Sequence, residues 1–216
     1  MEKVNYEMET GDDFKQIINK LSQEVNEIIE TGTFLGAGST LVFAQTKKSV
    51  ISIECNKNHY EQAINNLKDY PNVKLIHGHS LKKDEMFEFI STDDIYNKNL
   101  NIAMENPRDP KLFYITEISG DSPKENVFPE LIDNEKKQLI FLDSAGGVGF
   151  LEFKKLIEIG EEKLKNKILF LDDINHVKHY RSVIELENMG YKFNRSQSNR
   201  WGWCNFNEVK QVGKKE

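Results

Sequence analysis

Residues 29–41 read Ile-Glu-Thr-Gly-Thr-Phe-Leu-Gly-Ala-Gly-Ser-Thr-Leu, and residues 50–54 read Val-Ile-Ser-Ile-Glu. The first stretch is typical of a strand that enters a glycine-rich turn and continues into a helix, and the second of an apolar strand that ends on a carboxylate. Glycines at such a turn let the backbone approach a ligand, while a carboxylate at the next strand end accepts hydrogen bonds from ribose hydroxyls. Together they predict a site for a nucleotide-type cofactor.

The order of the glycines distinguishes between cofactors. Gly32, Gly36 and Gly38 give the pattern G-x-x-x-G-x-G, whereas a dinucleotide-binding turn has G-x-G-x-x-G. A carboxylate, Glu30, precedes the first glycine by two positions, and Glu54 ends the second strand. This arrangement resembles motif I of the class I S-adenosylmethionine-dependent methyltransferases, and the second strand resembles their ribose-binding acidic motif.

The resemblance also implies which residues bind S-adenosylmethionine. Nine are expected in that role: Glu30, Gly32, Thr33, Gly36, Ser39, Glu54, Cys55, His79 and Ser80. Those around the glycine turn would line the methionine and ribose portions, Glu54 would accept the ribose hydroxyls, and the last three would lie near the adenine. An acidic surrounding suits a sulfonium, whereas pyrophosphate favours the positive end of a helix. The alternative is a plain tight turn at the glycines, with Glu54 as an exposed strand end.

Length and composition favour one globular domain over residues 1–216. Hydrophobic residues make up 38% of the chain and charged residues 30%, a balance that argues against overall disorder. No apolar run reaches the roughly 20 residues that cross a bilayer, and the N-terminal residues lack the pattern of a secretion signal. Cys55 and Cys204 form neither a disulfide framework nor a C-x-x-C pair. We therefore expect a cytoplasmic protein with no membrane partner.

The net charge bears on the substrate. It is −6, with an isoelectric point near 5.5, so the chain lacks the basic composition of a dedicated nucleic-acid binder. A small-molecule or sugar acceptor is favoured and no nucleic-acid partner is expected, although tRNA-like partners stay open. An amphipathic helix over 12–25 could cover the acceptor or a partner, which leaves an oligomer open.

Strand and helix patterns alternate along the chain. Apolar strands are predicted at 26–31, 49–54, 73–77, 138–143 and 167–173, and helices after the glycine turn and at 57–69, 150–159 and 177–188. Such alternation implies a Rossmann-like, doubly wound α/β fold with a mostly parallel sheet and helices on both faces. Two final strands joined by a polar turn at 194–199 fit the antiparallel strands that end the seven-stranded methyltransferase sheet.

Residues 91–136 interrupt this alternation. The segment is longer than one connecting helix needs, and it contains a strand-like stretch at 111–118. Loops of this length inside a compact domain are usually functional or disordered. One interpretation is a lid or a short added hairpin on the substrate side, and the other is a surface insertion.

The chain also resembles one subgroup of these methyltransferases, and the ends of the fourth and fifth strands bear on that resemblance. The glycine turn and the stretch 54–60 resemble catechol-type small-molecule O-methyltransferases and related sugar and macrolide O-methyltransferases, in which strand-end carboxylates bind Mg²⁺. Asp143 matches the first ligand position, and Asp172 and Asp173 match the second. Mg²⁺ prefers oxygen ligands and would lower the pKa of a coordinated hydroxyl. The alternative is that these aspartates cap the helices or order the loops that follow them.

The same comparison leaves the catalytic base open. Catechol-type enzymes carry a lysine base shortly after the fourth-strand aspartate, where this chain has Ser-Ala-Gly-Gly-Val-Gly. His176 follows the fifth strand, and histidine is a common general base in enzymes, so we predict His176 as the base and Asp143 as the second catalytic residue. Lys178 and Arg181 could instead bind an anionic substrate group. This whole cluster could also simply cap and solvate the next helix.

Three functions compete. The favoured one is S-adenosylmethionine-dependent O-methylation of a small molecule or sugar. The absent lysine supports a second, a non-catalytic Rossmann-like protein that binds the cofactor or a partner. A nicotinamide-dependent enzyme is disfavoured by the glycine order and the final strand pair.

Overall fold

One mixed β-sheet organises the protein, whose computed structural model describes residues 12–98, 102–104 and 108–208. In these ranges the strands are β1 Glu27–Thr31, β2 Ser49–Glu54, β3 Val73–His77, β4 Gln138–Leu142, β5 Lys167–Leu171, β6 Asn194–Arg195 and β7 Gly202–Asn205. Their order in the sheet is β3-β2-β1-β4-β5-β7-β6. Every pair is parallel except β5–β7 and β7–β6. The predicted sheet with antiparallel carboxyl-terminal strands is confirmed.

Helices precede the first strand and connect most of the strands that follow. They are α1 Asp12–Ser22, α2 Ser39–Gln45, α3 Lys57–Asn66, α4 Lys83–Thr92, α5 Pro110–Glu117, α6 Val127–Leu131, α7 Gly149–Glu158, α8 Glu161–Leu164 and α9 Tyr180–Asn188, with a 3₁₀ helix at Asp94–Asn97. The helix predicted at 177–188 begins three residues later. The reason is that the N–H groups of Ile174 and Val177 donate to the carbonyls of Arg200 and Ala103, so the chain after β5 is a loop tied to distant segments.

Alternate residues of the strands face two separate cores. Ile28 of β1 and Phe141 of β4 lie in one apolar cluster with Phe14 of α1 and Phe43 of α2. The neighbouring Ile29 lies in the other cluster, which includes residues of α4, α5, α7 and α9. Because successive side chains of a strand point to opposite faces, a sheet that is apolar on both faces needs helices on both. The predicted doubly wound fold is therefore confirmed.

The strand-like stretch 111–118 is helical, so that part of the sequence prediction is wrong. Asp109 caps α5 by accepting a hydrogen bond from the N–H of Leu112, and Pro110 occupies the first helical turn. This start signal outweighs the β-propensity of the residues that follow. Tyr114 then anchors the helix in the core. Within 91–136, residues 99–101 and 105–107 lie outside the described residues, and the remainder forms helices joined by loops.

None of the helices described is both long and apolar enough to cross a membrane.

Candidate active site

A cavity of about 420 Å³ opens at the carboxyl ends of the parallel strands. It is lined by Gly32 after β1, Glu54 at the end of β2, Asp143 after β4 and Asp172 after β5. β1 and β4 are neighbours in the sheet, and the chain leaves them in opposite directions, toward β2 and toward β5. Ligands of open α/β sheets bind at such a switch point. The cavity is therefore the candidate active site.

Gly32 lets the ends of β1 and β4 approach each other. Its φ is +87°, and an added Cβ would lie 2.2 Å from the carbonyl oxygen of Asp143. Both the conformation and the space therefore exclude a side chain. Gly36 has a φ of +69°, and an added Cβ there would lie 2.7 Å from the side chain of Leu67. Of the two glycines, only Gly32 lines the cavity.

Glu30 lies beneath the glycine turn rather than in the cavity. Its carboxylate is fully buried and accepts hydrogen bonds from the hydroxyls of Ser39 at 2.5 Å, Thr40 at 2.6 Å and Ser52 at 2.6 Å. Burial raises its pKa to about 7, although the three hydroxyls oppose that rise. Glu30 thus links the start of α2 to β2, and the structure gives it a supporting place behind the site.

Two further predicted cofactor residues also lie behind the cavity wall. The Thr33 hydroxyl is 2.5 Å from that of Ser52, and the Ser39 hydroxyl donates its hydrogen bond to Glu30. Both are buried and neither lines the cavity. With Glu30 and Gly36, they shape the turn from the inside.

Glu54 lines the cavity and is held by backbone groups. Its Oε2 accepts from the N–H of Phe34 at 2.7 Å, and its Oε1 accepts from the N–H of Asn56 at 2.8 Å. Burial raises the pKa of Glu54 to about 7 against these hydrogen bonds. The rings of Phe34 and His59 meet edge to face at 4.6 Å between centroids, and both line the cavity beside the carboxylate. No role was predicted from the sequence for either ring.

Cys55, His79 and Ser80 form the wall beyond Glu54. The His79 ring nitrogen Nε2 lies 3.0 Å from the carbonyl oxygen of Gly120, and burial lowers the pKa of His79. A neutral ring that donates its Nε2 proton to this carbonyl fits both facts. The contact joins the wall to segment 91–136, which also contributes Glu117 and Ile118 to the cavity.

The three predicted metal ligands come together in the wall of the same cavity. One oxygen each from Asp143, Asp172 and Asp173 lie within 4.8 Å of one another. The ammonium of Lys178 lies among them, 2.7 Å from Oδ1 of Asp143 and 3.0 Å from Oδ2 of Asp173. Arg200 adds a second cation, 3.1 Å from Oδ2 of Asp172. We refer to these five residues as the ion cluster.

Burial and the neighbouring charges act against each other in the ion cluster. Burial raises the pKa of Asp143 and of Asp172, because a charged carboxylate loses its hydration there. Burial would also favour a neutral Lys178, but the surrounding carboxylates outweigh it and hold the lysine pKa well above its usual range. Lys178 is therefore a permanent cation and not a general base. The buried Oδ1 of Asp172 has no hydrogen-bond partner among the residues described.

The ion cluster as folded does not fit a metal ion. Three carboxylates would suit Mg²⁺ by ligand chemistry. However, the ammonium of Lys178 already binds two of them, and a divalent cation on the same oxygens would stand beside a buried positive charge. From the sequence, Lys178 was suggested only as a residue that could bind an anionic substrate group. Its position in the chain does not indicate that its side chain points toward the three aspartates.

His176 does not line the cavity. It is buried, its Nδ1 accepts a hydrogen bond from the N–H of Lys178 at 3.1 Å, and its Nε2 lies 3.3 Å from the hydroxyl of Tyr114. It therefore supports the loop that carries Lys178. Nearby, Arg181 forms a two-point ion pair with Asp93, one contact being 3.0 Å, which occupies the guanidinium that the sequence offered to an anionic substrate.

Comparisons with known proteins agree with the fold. Neither a protein-family model nor a curated protein sequence matches the chain. Among solved structures, the chain is similar to the S-adenosylhomocysteine-bound methyltransferase PaMTH1 of Podospora anserina, with a TM-score of 0.52 and 13% identity over 88% of this chain and 76% of that one. It is also similar to cofactor-bound Rv0187 from MTB, with a TM-score of 0.51 and 12% identity over 92% of this chain and 82% of that one. Together with the sheet order, these likenesses show that the chain has the Rossmann-like methyltransferase fold.

Proposed function

We propose that this protein is an S-adenosylmethionine-dependent methyltransferase that methylates an oxygen of a small molecule or sugar. The observation that carries the proposal is the composition of one cavity. A glycine turn at Gly32, a buried carboxylate, Glu54, and the ion cluster around Asp143 all line it. Its volume of about 420 Å³ falls within the roughly 300–1,000 Å³ of small-molecule sites.

The cofactor half of the proposal rests on Glu54 and its neighbours. Backbone hydrogen bonds from Phe34 and Asn56 fix the carboxylate, and each of its oxygens has a second lone pair with which to accept a ribose hydroxyl. The rings of Phe34 and His59 and the side chain of Cys55 provide apolar surface beside it, which suits a purine. The other lining carboxylates suit the positive charge of a sulfonium.

The acceptor half rests on the ion cluster. A hydroxyl bound there would attack the methyl carbon. A new oxygen–carbon bond forms, the carbon–sulfur bond breaks with its electron pair left on sulfur, and the hydroxyl proton must go to a base. Asp172 lines the cavity, and its buried, unpartnered Oδ1 can take that proton. His176, the base predicted from the sequence, lies behind the cavity wall.

Calorimetric titration tests the cofactor half directly. S-adenosylhomocysteine and S-adenosylmethionine are expected to bind with one site per chain, and NAD is expected not to bind. Glu54→Ala should weaken S-adenosylhomocysteine binding roughly 10- to 100-fold, since hydrogen bonds to a charged group contribute about 1.5–3 kcal/mol. Glu61→Ala is the matched control, because Glu61 lies on the exposed side of α3 in a surface pair with Lys57.

Two outcomes would contradict the proposal. Absence of heat with both S-adenosylmethionine and S-adenosylhomocysteine would show that the protein does not bind the proposed cofactor. Unchanged affinity in Glu54→Ala would mean that the cofactor lies elsewhere. Binding of S-adenosylhomocysteine without methyl transfer to any tested hydroxyl compound would favour the non-catalytic alternative instead.

A further inference from the structure

We propose that the ammonium of Lys178 takes the place of a divalent cation in the ion cluster, so that the acceptor is held and activated without a metal ion. The inference rests on the proposed methyltransferase function for its role in catalysis. Its structural part, that a lysine fills a cation site, stands on the geometry alone.

The first argument is the position of the ammonium. Nζ of Lys178 lies 2.7 Å from Oδ1 of Asp143 and 3.0 Å from Oδ2 of Asp173, and only 7% of the lysine side chain is exposed. A lysine ammonium has three N–H donors. Two of them meet these carboxylates, and the third has no acceptor among the described residues. Because Lys178 lines the cavity, this third donor is free to bind an acceptor oxygen.

The second argument is that the fold makes room for this lysine. An added Cβ on Gly149, the first residue of α7, would lie 2.4 Å from Cγ of Lys178 and 2.8 Å from the ring of His179. The lysine stem therefore passes directly over a glycine. The backbone N–H of Lys178 is held by Nδ1 of His176 at 3.1 Å. A side chain with this much support is a fixed part of the site.

The third argument is the charge balance. Three carboxylates face two cations, Lys178 and Arg200, at distances of 2.7–3.4 Å. With all three carboxylates ionised, one negative charge remains, which a single bound cation of the cofactor or the transferred proton can compensate. A divalent ion added to this set would leave an excess of buried positive charge, which is unfavourable away from water.

The chemistry follows from these contacts. The third N–H of Lys178 binds the acceptor oxygen and stabilises the negative charge that develops as the hydroxyl proton leaves for Oδ1 of Asp172. The oxygen then forms its bond to the methyl carbon while the carbon–sulfur bond breaks onto sulfur. Lys178 keeps its own proton throughout, so it acts as an electrostatic group and not as a base.

The test uses Mn²⁺ alone as a probe, so it needs no knowledge of the acceptor. The full chain is titrated with MnCl₂ and free Mn²⁺ is followed by electron paramagnetic resonance. We expect no saturable site in the wild type and one saturable site in Lys178→Ala. That site should disappear in the double variant Lys178→Ala with Asp143→Asn. Lys178→Arg is the matched control, because it keeps the positive charge and should gain no site.

Lys178→Gln provides a second variant in case Lys178→Ala does not fold, since it keeps a polar side chain of similar length, and it should also gain the site. Saturable Mn²⁺ binding by the wild type that Asp143→Asn abolishes would overturn the inference, as would failure of the folded neutral variants to gain a site. S-adenosylhomocysteine titration of the same variants is run in parallel. Absence of S-adenosylhomocysteine binding in the wild type and in all variants would refute the proposed function. The Mn²⁺ results test only the role of Lys178 in the ion cluster.

Discussion

The ammonium nitrogen of Lys178 lies 2.7 Å from Oδ1 of Asp143, although the two residues belong to loops after different strands. Both side chains are largely withdrawn from water. A buried pair of this kind stabilises little in total, because desolvation opposes the attraction, but either partner alone is costly. Both residues line the cavity, so their pairing shapes part of its wall.

The coupling between these two residues can be measured in a double-mutant cycle. Lys178→Met should lower the free energy of unfolding by about 3–5 kcal/mol, since it leaves the buried Asp143 carboxylate without its cation. Asp143→Asn should cost less, because Lys178 keeps its ion pair with Asp173 at 3.0 Å. The double variant should be less destabilised than the sum of the two. Urea denaturation of all four proteins gives the coupling energy. The exposed pair Lys57–Glu61 is the control, with an expected coupling of roughly 0–0.5 kcal/mol, and additive losses at Asp143 and Lys178 would contradict the ion pair.

Gly32→Ala should abolish cofactor binding and lower the melting temperature. The substitution places a Cβ in a left-handed conformation and 2.2 Å from a backbone carbonyl, so the ends of β1 and β4 must separate. Gly160→Ala is the matched control, because its φ is +91° but an added Cβ meets nothing within 4 Å. The control should lose about 1–3 kcal/mol from strain alone and retain cofactor binding. Equal melting temperatures and equal affinities in the two variants would contradict this account of Gly32.

The contribution of Glu30 to the free energy of unfolding should fall as the pH rises from about 4.5 to about 7, whereas the buried His179, whose pKa burial lowers to about 3, acts in the opposite direction below pH 6.5. Burial raises the pKa of Glu30 from 4.5 to about 7, so in this range the native state binds more protons than the unfolded state, and raising the pH favours unfolding. A shift of this size corresponds to roughly 3 kcal/mol, and Glu54 acts in the same direction.

Glu30→Gln should remove this falling contribution and so make the slope of stability against pH less negative, or more positive, than in the wild type, because the amide cannot ionise. The measurement is the urea midpoint at several pH values, with the exposed Glu61→Gln as control. A Glu30→Gln protein that retains the full slope would show that the carboxylate does not titrate in this range.

Arg181→Lys should weaken the fold but not the site. The Arg181 guanidinium pairs with both oxygens of Asp93 and lies 4.1 Å from the ring of Phe150, and lysine cannot reproduce either geometry. We expect a loss of about 1–3 kcal/mol with unchanged S-adenosylhomocysteine affinity. Arg195→Lys, which affects an exposed pair with Glu187, should cost roughly 0–1 kcal/mol. A large loss of cofactor or acceptor binding in Arg181→Lys would support the role suggested from the sequence, in which Arg181 binds an anionic group of the substrate.

Much of the fold was predictable because its signals are local. The strands β2 and β3 lie where their apolar patterns placed them, and the turn at Gly32 joins β1 to α2 as expected. The strand prediction for 111–118 was wrong because its apolar residues suit either a strand or a helix, and the cap from Asp109 favours the helix. Periodicity alone cannot choose between the two over so short a run.

The candidate site was predictable only in part. The carboxylates that end parallel strands must meet at one edge of the sheet, so Glu54, Asp143 and Asp172 could be placed near one cavity from the sequence. Whether a neighbouring polar residue faces that cavity depends on loop paths. His176 and Glu30 lie behind the wall, whereas Arg200 and Phe34, for which no role was predicted, line it.

The sequence by itself thus determined the sheet, the glycine turn and the edge at which a ligand would bind, because strand alternation and glycine placement act over a few residues. Only the tertiary structure decided that a lysine lies among the three aspartates. The direction of the Lys178 side chain is set by the path of the loop after β5, by the space above Gly149 and by the hydrogen bond from its backbone to His176. Gly149 and Lys178 are far apart in the chain, so no local pattern records the contact between them.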